Sequence, residues 1–508
     1  MSAPTTLIHR SLAAADGRRE QTLALARELS GRNLIDGSTV EVASEQCIAV
    51  IAPASGEQIG HIPNDPAAAG SAAAAAERAF VPWSETAPLE RSRLLLSAAL
   101  SLENQVEEIA ALISLETGRP ISTETRPEAI NAVRIARYFA ALAPEIKGDT
   151  FPYTASVLVT TVREPLGPIA AITPWNVPAM LLCLKVFPAL AAGNTVVVKP
   201  AEQASLSSLL IAEAIAAELP TGVLNLVGGL GESVGQALVS DPRVAKITFT
   251  GSVATGRLVA EQAAGRLIPV TLELGGKSPI VIFGDVEVDE AVRQTITGMR
   301  FSRQGQSCTS TTRILVHESI REPYLRELAA QVAAMRAGDP LDEESEIGTL
   351  VSAEQTDTVN GYLRLAAEEG LPVLTLNERP AAMRADTFVP ATLVLDPPQH
   401  SRLVQEEIFG PVATVHSWET LEGVAALANG TSFGLSACIL SDSIGSALTL
   451  ARSLKAGFIQ INSGMVIQPG LSFGGYKSSG MGREASLDAM LEAFTQVKTI
   501  VIDHEVRS

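Results

Sequence analysis

Asn194–Pro200 reads NTVVVKP, a run of β-branched residues stopped by proline. Ser205–Leu219, SLSSLLIAEAIAAEL, follows it with apolar residues at helical spacing and a serine near its head as a helix-start signal. A strand that is apolar throughout, and not alternating, predicts burial on both faces, as in a parallel sheet covered by helices. Toward the C-terminus come GVLNLVGG, a second helical stretch, VAKITFTG, VATGRLVAEQAAG and PVTLELGG. They repeat the strand–helix alternation in units of about 30 residues, which predicts crossover helices on a parallel sheet. Such a sheet takes its ligands at the C-terminal ends of its strands.

A second series begins at SPIVIFGDV (Ser278–Val286), includes AVRQTITGM, TRILVHESI and a long Ala-rich helix, and runs to about Leu454. It predicts a second α/β unit. ASVLVTTVREPLG (Ala155–Gly167) alternates like a hairpin strand, and so does FTQVKTIVID (Phe494–Asp503). Either is expected to be an exposed edge in need of a partner, which points to oligomerisation. AAAGSAAAAAERAF is expected to be helical, because alanine is the best helix former.

Composition narrows the function. A chain of 508 residues is too long for one core, so two or three domains are expected. Its 46% hydrophobic and 19% charged residues are an ordinary globular balance. A net charge of −18 opposes both nucleic acid and anionic membranes, which need a basic face. The longest apolar tract, Leu166 to Val198, is broken by Pro174, Pro178, Lys185, Pro188 and Asn194, so no membrane span is expected. The six histidines show no metal-ligand spacing, and no metal is expected. Cys47, Cys183, Cys308 and Cys438 form no CxxC pair, which suits a reducing compartment. Residues 1–32 read as a helical N-terminal extension: Asp16, Glu20 and Glu28 are wrong for a transit peptide, and the expected location is cytoplasmic.

Several short stretches carry chemistry. RQGQSCTSTTRI (Arg303–Ile314) sets Cys308 among polar and small residues, whereas Cys183 and Cys438 lie in apolar runs as packing cysteines do. TLELGGKSP puts Glu273 at the end of an apolar strand, where desolvation raises a carboxyl toward general-base range; capping of the next turn is the plainer alternative. TPWNVP (Thr173–Pro178) holds Asn176 between prolines, as an oxyanion donor or simply as a turn residue. KPAE (Lys199–Glu202) closes a strand with a carboxylate that can accept ribose hydroxyls and would repel a 2′-phosphate, favouring NAD over NADP. GGLGESVG (Gly228–Gly235) and TGSVATG, with Gly251 and Ser252 before a helix, are two candidate phosphate sites; turns and helix packing explain their glycines as well.

Taken together, TPWNVP, ALAAGNTVVVKPAE, FTGSVATG, LELGGKSP, GQSCT, EEIFGPV and FGGYKSSGMGRE resemble the aldehyde dehydrogenase superfamily, in its NAD(P)-dependent hydrolytic branch, over roughly Asn33 to Asp503. The resemblance implies an α/β architecture: a Rossmann-like parallel-sheet cofactor domain (33–152 and 169–275), a second α/β catalytic domain (276–455) and a small β oligomerisation flap (153–168 and 488–505). Residues 456–487 would form the substrate-tunnel loop and the return to the cofactor domain. Cys308 would be the nucleophile, with Asn176 and the Cys308 backbone N–H as the oxyanion hole, and Glu273 would activate water. Lys185 and Glu484 match positions linked to proton relay in some members. NAD, with NADP also admissible, would lie against Ile172, Thr173, Trp175, Lys199, Glu202, Gly251, Ser252 and Leu274. Glu407 would hold the nicotinamide ribose with Phe409 beside the ring, and Gly231 would be a secondary contact at most. A thiohemiacetal would collapse to a thioester with hydride leaving to the nicotinamide, and water would release the acid. A homodimer or homotetramer is implied.

Three alternatives are separable. A CoA-acylating relative usually lacks the carboxylate at Glu273, a catalytically silent protein would have lost Cys308, Glu273 or Asn176, and a plain thiol hydrolase would want a histidine base. By motif spacing, Val177, Met180, Leu181, Leu184, Ser307, Thr309, Ile467 and Phe473 line the tunnel. No arginine or lysine is expected there to pair a carboxylate, nor a cage for a quaternary ammonium. An uncharged aliphatic or aromatic aldehyde is therefore the expected substrate. Two departures from the family pattern stand out: Ser472 where many relatives have proline, and the stretch NSGMVIQPGL (Asn462–Leu471).

Overall fold

The computed structural model describes residues 15–42, 47–464 and 467–504. Residues 1–14 of the expected extension, 465 and 466 of the expected tunnel loop, and residue 505 lie outside them.

The NTVVVKP run is the strand Thr195–Pro200, and all six of its residues are buried. It lies inside an eight-stranded sheet whose order is Ser38–Glu41, Arg32–Ile35, Leu224–Leu226, Thr195–Pro200, Pro168–Thr173, Lys246–Thr250, Val270–Glu273 and Gly480–Met481. The five strands from Leu224–Leu226 to Val270–Glu273 pair in parallel, while the outer strands are antiparallel. The chain passes outward from Pro168–Thr173 in one direction and then returns to build Lys246–Thr250 on its other side. The strand order thus reverses between Thr173 and Thr250, the place where an open parallel sheet has a crevice beyond its strand ends.

A second sheet of seven strands follows, in the order Val373–Thr375, Thr392–Leu395, Val412–Trp418, Arg313–His317, Pro279–Ile282, Ser436–Leu440 and Phe458–Ile461. It is parallel except for its first pair. The last parallel strand of the first sheet, Val270–Glu273, runs through Leu274–Ser278 directly into Pro279–Ile282. C-terminal ends of the first sheet therefore meet loops that enter the second. Each sheet has its own apolar core.

Several sequence expectations need correction. The first-turn N–H groups of helix Ser205–Ala216 are not capped by the local serine; they donate to the carboxylate of Glu116 from another helix, at 2.8 and 3.0 Å. The two suspected edge strands, Val157–Pro165 and Thr495–Asp503, are each other's partners, in register from Thr495↔Pro165 to Asp503↔Val157. Thr150–Pro152 joins them as the third strand, so this small sheet takes in residues assigned above to the cofactor domain, and Thr495–Asp503 has no second strand partner among the described residues. Residues 487–494 are a helix, N-capped by Ser486, and not part of a strand. The second sheet also reaches past residue 455, because Phe458–Ile461 is its edge strand. The N-terminal helix Ala15–Leu29 packs Ala26 and Leu29 into the core beneath the first sheet. No helix among the described residues is long and apolar enough to cross a membrane.

Trp83, at the end of helix Pro66–Ser84, is 1% exposed, and its Nε1 donates to the Leu190 carbonyl at 3.2 Å. Replacing it with alanine leaves a cavity and removes one of the hydrogen bonds that the Leu190 carbonyl accepts. Trp83→Ala is expected to cost about 3–5 kcal/mol, read as a lowered midpoint in urea denaturation.

Candidate active site

Glu273 ends the strand Val270–Glu273, and the two glycines behind it bring three chemical groups together. A Cβ on Gly275 would stand 2.0 Å from Glu407 Oε2, and one on Gly276 would stand 2.3 Å from the Cys308 carbonyl oxygen. Only glycine permits so close an approach. The Gly276 N–H donates to Glu407 Oε1 at 2.9 Å.

Cys308 is partly exposed, in the loop between helix Val288–Met299 and strand Arg313–His317. Ser307 Oγ and Thr309 Oγ1 are hydrogen-bonded to each other at 3.1 Å on either side of it. The thiol is pushed up to about 12, first by burial and then by the charges of Glu407 and Glu273; its backbone hydrogen bond and Arg303 pull the other way. Asn176 is buried, and its Nδ2 donates at 3.3 Å to the carbonyl of Gln306, two residues before the thiol.

Glu273 is buried, and neither of its oxygens has a hydrogen-bond partner among the described residues. Burial holds its carboxyl well above the usual range, with Glu484 adding to the shift and Lys185 and Arg483 opposing it. Lys185 and Glu484 form a buried ion pair at 2.7 Å, and Thr248 Oγ1 bonds both at 3.1 Å. Glu484 is pinned by reciprocal backbone hydrogen bonds with Phe473. Ser472, the departure noted above, accepts from Arg483 Nε at 2.9 Å. Lys246 was not anticipated here: its ammonium is buried, bonded to Thr271 Oγ1 at 2.8 Å, and pushed down to about 8, mainly by burial.

Most of the expected cofactor residues lie at or just beyond the C-terminal ends of the first sheet's parallel strands. Trp175 and Phe409 meet edge to face, with ring centroids 5.4 Å apart. Phe409 has a φ of 55°, a strained value for a bulky residue, and the side-chain amide of Gln355 holds the carbonyls of Ile408 and Phe409 at 3.2 and 3.0 Å. Glu407 is pushed up to about 7 by burial, against the Gly276 N–H and Lys277. Lys199 and Glu202 stand 3.6 Å apart past the end of Thr195–Pro200, and burial holds Lys199 below the ordinary lysine range. Ser252 caps helix Val253–Arg266 through an acceptor bond from Thr255 N–H at 3.2 Å. Leu274 is buried against Gly256, while Gly251 lies against Phe249. Ile172 and Thr173 end the strand beside the switch point, and the hydroxyls of Thr173 and Thr250 are buried with no partner among the described residues. A Cβ on Gly231 would meet nothing within 4 Å, so packing does not account for that glycine.

A cavity of about 820 Å³ opens onto Cys308, Glu273 and Glu484. Val177, Met180, Leu181 and Leu184 form one wall from helix Pro178–Ala191 and its approach. Ser307, Thr309, Ile467 and Phe473 complete the set expected from spacing. One expectation fails outright: Arg134, Arg137, Arg300 and Arg303 also line this cavity. Glu124 pairs with Arg303 and Glu103 with Arg137, while exposed Arg134 has no partner among the described residues. Burial and the neighbouring Arg303 push Arg300 down to about 10. Asn131, Arg134 and Tyr138 share one face of helix Arg126–Leu142, and that polar spacing was the missed signal. Among the described residues no cluster of three or more His, Cys, Asp or Glu could hold a metal ion.

The fold and site thus define an α/β protein with two large sheets, a thiol and an unpaired buried carboxyl opening onto one cavity, and a buried amide bonded to the loop that carries the thiol. The family model for the aldehyde dehydrogenase family matches residues 40–500. An aminoacetaldehyde dehydrogenase of Pseudomonas aeruginosa is 39% identical over 493 residues, 96% of this chain and 98% of that protein. A mitochondrial benzaldehyde dehydrogenase of Antirrhinum majus is 37% identical over 473 residues, 92% of this chain and 88% of that protein. The structure of a betaine aldehyde dehydrogenase from Staphylococcus aureus in complex with NAD+ superposes with a TM-score of 0.92 at 31% identity, covering 97% of this chain and 98% of that one. The chain belongs to the aldehyde dehydrogenase family.

With its thiol near 12, Cys308 in the unliganded protein carries little thiolate at neutral pH. Its alkylation by iodoacetamide, followed by mass at the Cys308 peptide, is expected to rise about tenfold per pH unit from about pH 7 to about pH 10. A plateau below about pH 9 would contradict that electrostatic picture.

Proposed function

We propose that this chain oxidises an aldehyde to its carboxylic acid with NAD, through covalent attachment of the substrate to Cys308. The observation that carries the proposal is the opening of Cys308 and the unpaired carboxyl of Glu273 into one tunnel. Cys308, ionised to its thiolate with the proton lost to solvent, adds to the aldehyde carbon; the oxyanion, steadied by the side-chain amide of Asn176 and the Cys308 backbone N–H, re-forms a carbonyl by expelling hydride and leaves a thioester. Bound NAD supplies a cationic nicotinamide that accepts the hydride. Glu273, once ionised, has no hydrogen bond among the described residues to weaken it as a base, so it takes a proton from the water that cleaves the thioester. The Lys185–Glu484 pair, which bears electrostatically on Glu273, would pass that proton on.

The residues present fit a dinucleotide. Lys199 and Glu202 would hold the adenosine ribose, with Glu202 disfavouring a 2′-phosphate. Ser252 and the helix start behind it, with Gly251 and Leu274, would face the pyrophosphate side. Ile172, the Thr173 hydroxyl, which has no partner among the described residues, and Trp175 would line the crevice at the switch point. Glu407 would take the nicotinamide ribose, Phe409 would lie beside the ring, and Gly231 would be an outer contact. The first sheet then serves as the cofactor domain and the second as the catalytic domain. The open edge of Thr495–Asp503, where Val497 and Val501 are exposed, would pair with a second copy in a homodimer or homotetramer.

For substrate, an uncharged aliphatic or aromatic aldehyde agrees best with the wall of Val177, Met180, Leu181, Leu184 and Phe473. Arg134, exposed on the cavity wall and without a partner among the described residues, opposes a quaternary ammonium or a protonated amine, although relatives are named for such substrates. Paired as they are with Glu124 and Glu103, Arg303 and Arg137 offer little to a carboxylate. Hexanal and benzaldehyde are expected to exceed betaine aldehyde and succinate semialdehyde by at least about tenfold in kcat/KM, a difference of about 1.4 kcal/mol in transition-state binding. The opposite ranking in a steady-state screen rejects this substrate class.

Rapid mixing tests the chemistry itself. Glu273→Gln is expected to give a burst of about one NADH per site followed by turnover slowed about 10²-fold or more, because deacylation alone has lost its base. Cys308→Ser is expected to give neither burst nor turnover, and undiminished NADH formation by it would end the proposal.

A further inference from the structure

Two helices of the first sheet have their N-termini closed by carboxylates from other helices. Glu116 serves Ser205–Ala216, as described above. Glu128 serves Pro178–Ala191, accepting through Oε1 from Ala179 N–H at 2.8 Å and Met180 N–H at 3.3 Å. That helix has no cap of its own: Val177 makes no side-chain bond to it, and Pro178 carries no N–H.

Glu128 differs from Glu116 in having a cation behind it. Its Oε2 accepts from Arg119 Nη2, while Arg119 Nη1 donates to the backbone carbonyl of Asn176. The two side chains are 0% and 2% exposed, so the pair is buried, with Glu128 reaching the wall of the cavity. One ion pair thus grips the chain at the Asn176 carbonyl and at the N–H groups of Ala179 and Met180. The Asn176 amide, carried by the gripped segment, points across to the Gln306 carbonyl in the Cys308 loop.

We propose that Arg119 and Glu128 are positioning residues that set the Asn176 amide against Cys308. The inference rests on Asn176 as the oxyanion donor. Stability alone is a poor reason for the pair, because burying two charges costs about as much as their attraction returns. Geometry is a better one. A planar guanidinium bonds a carboxylate with one nitrogen and a carbonyl with another in a fixed fork, which a lysine ammonium on its flexible stem does not reproduce. The required tolerance is small, since misplacing a reacting group by about 1 Å costs about 10²-fold in rate.

A double-mutant cycle decides it. Arg119→Lys and Glu128→Gln are each made in the wild type and in Asn176→Ala, and turnover of benzaldehyde with NAD is measured. Glu128→Gln keeps an acceptor for the helix N-terminus and carries the cycle if Arg119→Lys does not fold. Each single change is expected to lower kcat by about 10- to 100-fold. Alkylation of Cys308 by iodoacetamide, which creates no oxyanion, should stay within about twofold of wild type. Adding either change to Asn176→Ala should cost nothing further, the signature of residues acting through one another. Losses that multiply with Asn176→Ala, or alkylation that falls in step with turnover, would overturn the inference and leave a general structural role. Wild-type turnover by Asn176→Ala alone would instead remove the donor assignment, and the inference would fall with it.

Discussion

The whole site depends on a steric permission at Gly275 and Gly276. Between the last parallel strand of one sheet and a central strand of the other, the chain dispenses with side chains for two residues. The Glu407 carboxylate and the Cys308 backbone occupy the space that Cβ atoms would need. That closeness lets a carboxylate from the first sheet, a thiol from a loop entering the second, and a further carboxylate from a later loop share one small volume. It also sets these groups deep among protein atoms, and the electrostatics of the site follow from that burial.

Desolvation is the leading cause of the shifts at Cys308, Glu273 and Glu407, and in each case it disfavours the charged form. Burial thus holds all three acids above their usual ranges. Lys185, Arg483 and Lys277 offset that tendency only in part. A site poised in this way gains reactivity when a cation or an electrophile arrives, because the penalty on the charged form is then relieved. The rigidity around it has the same logic. Phe409 is held at a left-handed φ by the Gln355 amide, and Glu484 is clamped to Phe473 by two backbone bonds. Such strain persists only where the surroundings over-determine it.

The architecture was largely readable from local pattern. The buried strand at Thr195–Pro200 and the alternation around it predicted a parallel sheet, and the motif residues fall at its C-terminal ends because crossover helices occupy the faces. The eight tunnel positions inferred from motif spacing all line the cavity, since they flank Asn176, Cys308 and Phe473 on short, stiff segments. What escaped were contributions from far away in the chain. The arginine wall comes partly from helix Arg126–Leu142, which bears no motif, and Glu116 and Glu128 reach helix starts about 50 to 90 residues later. The two β-flap strands were taken as needing outside partners because a strand's mate over 300 residues away leaves no local trace.

Sequence by itself determined the parallel α/β architecture, the polar setting of one cysteine among four, and the chemical identity of each group at the strand ends. Hydrophobic periodicity and residue chemistry are local properties, so the chain carries them wherever it goes. Only the tertiary structure decided which of those groups meet, how dry their meeting place is, and which distant charges stand around it. Distances and desolvation belong to no residue alone; they arise when segments hundreds of positions apart are packed against the same two glycines.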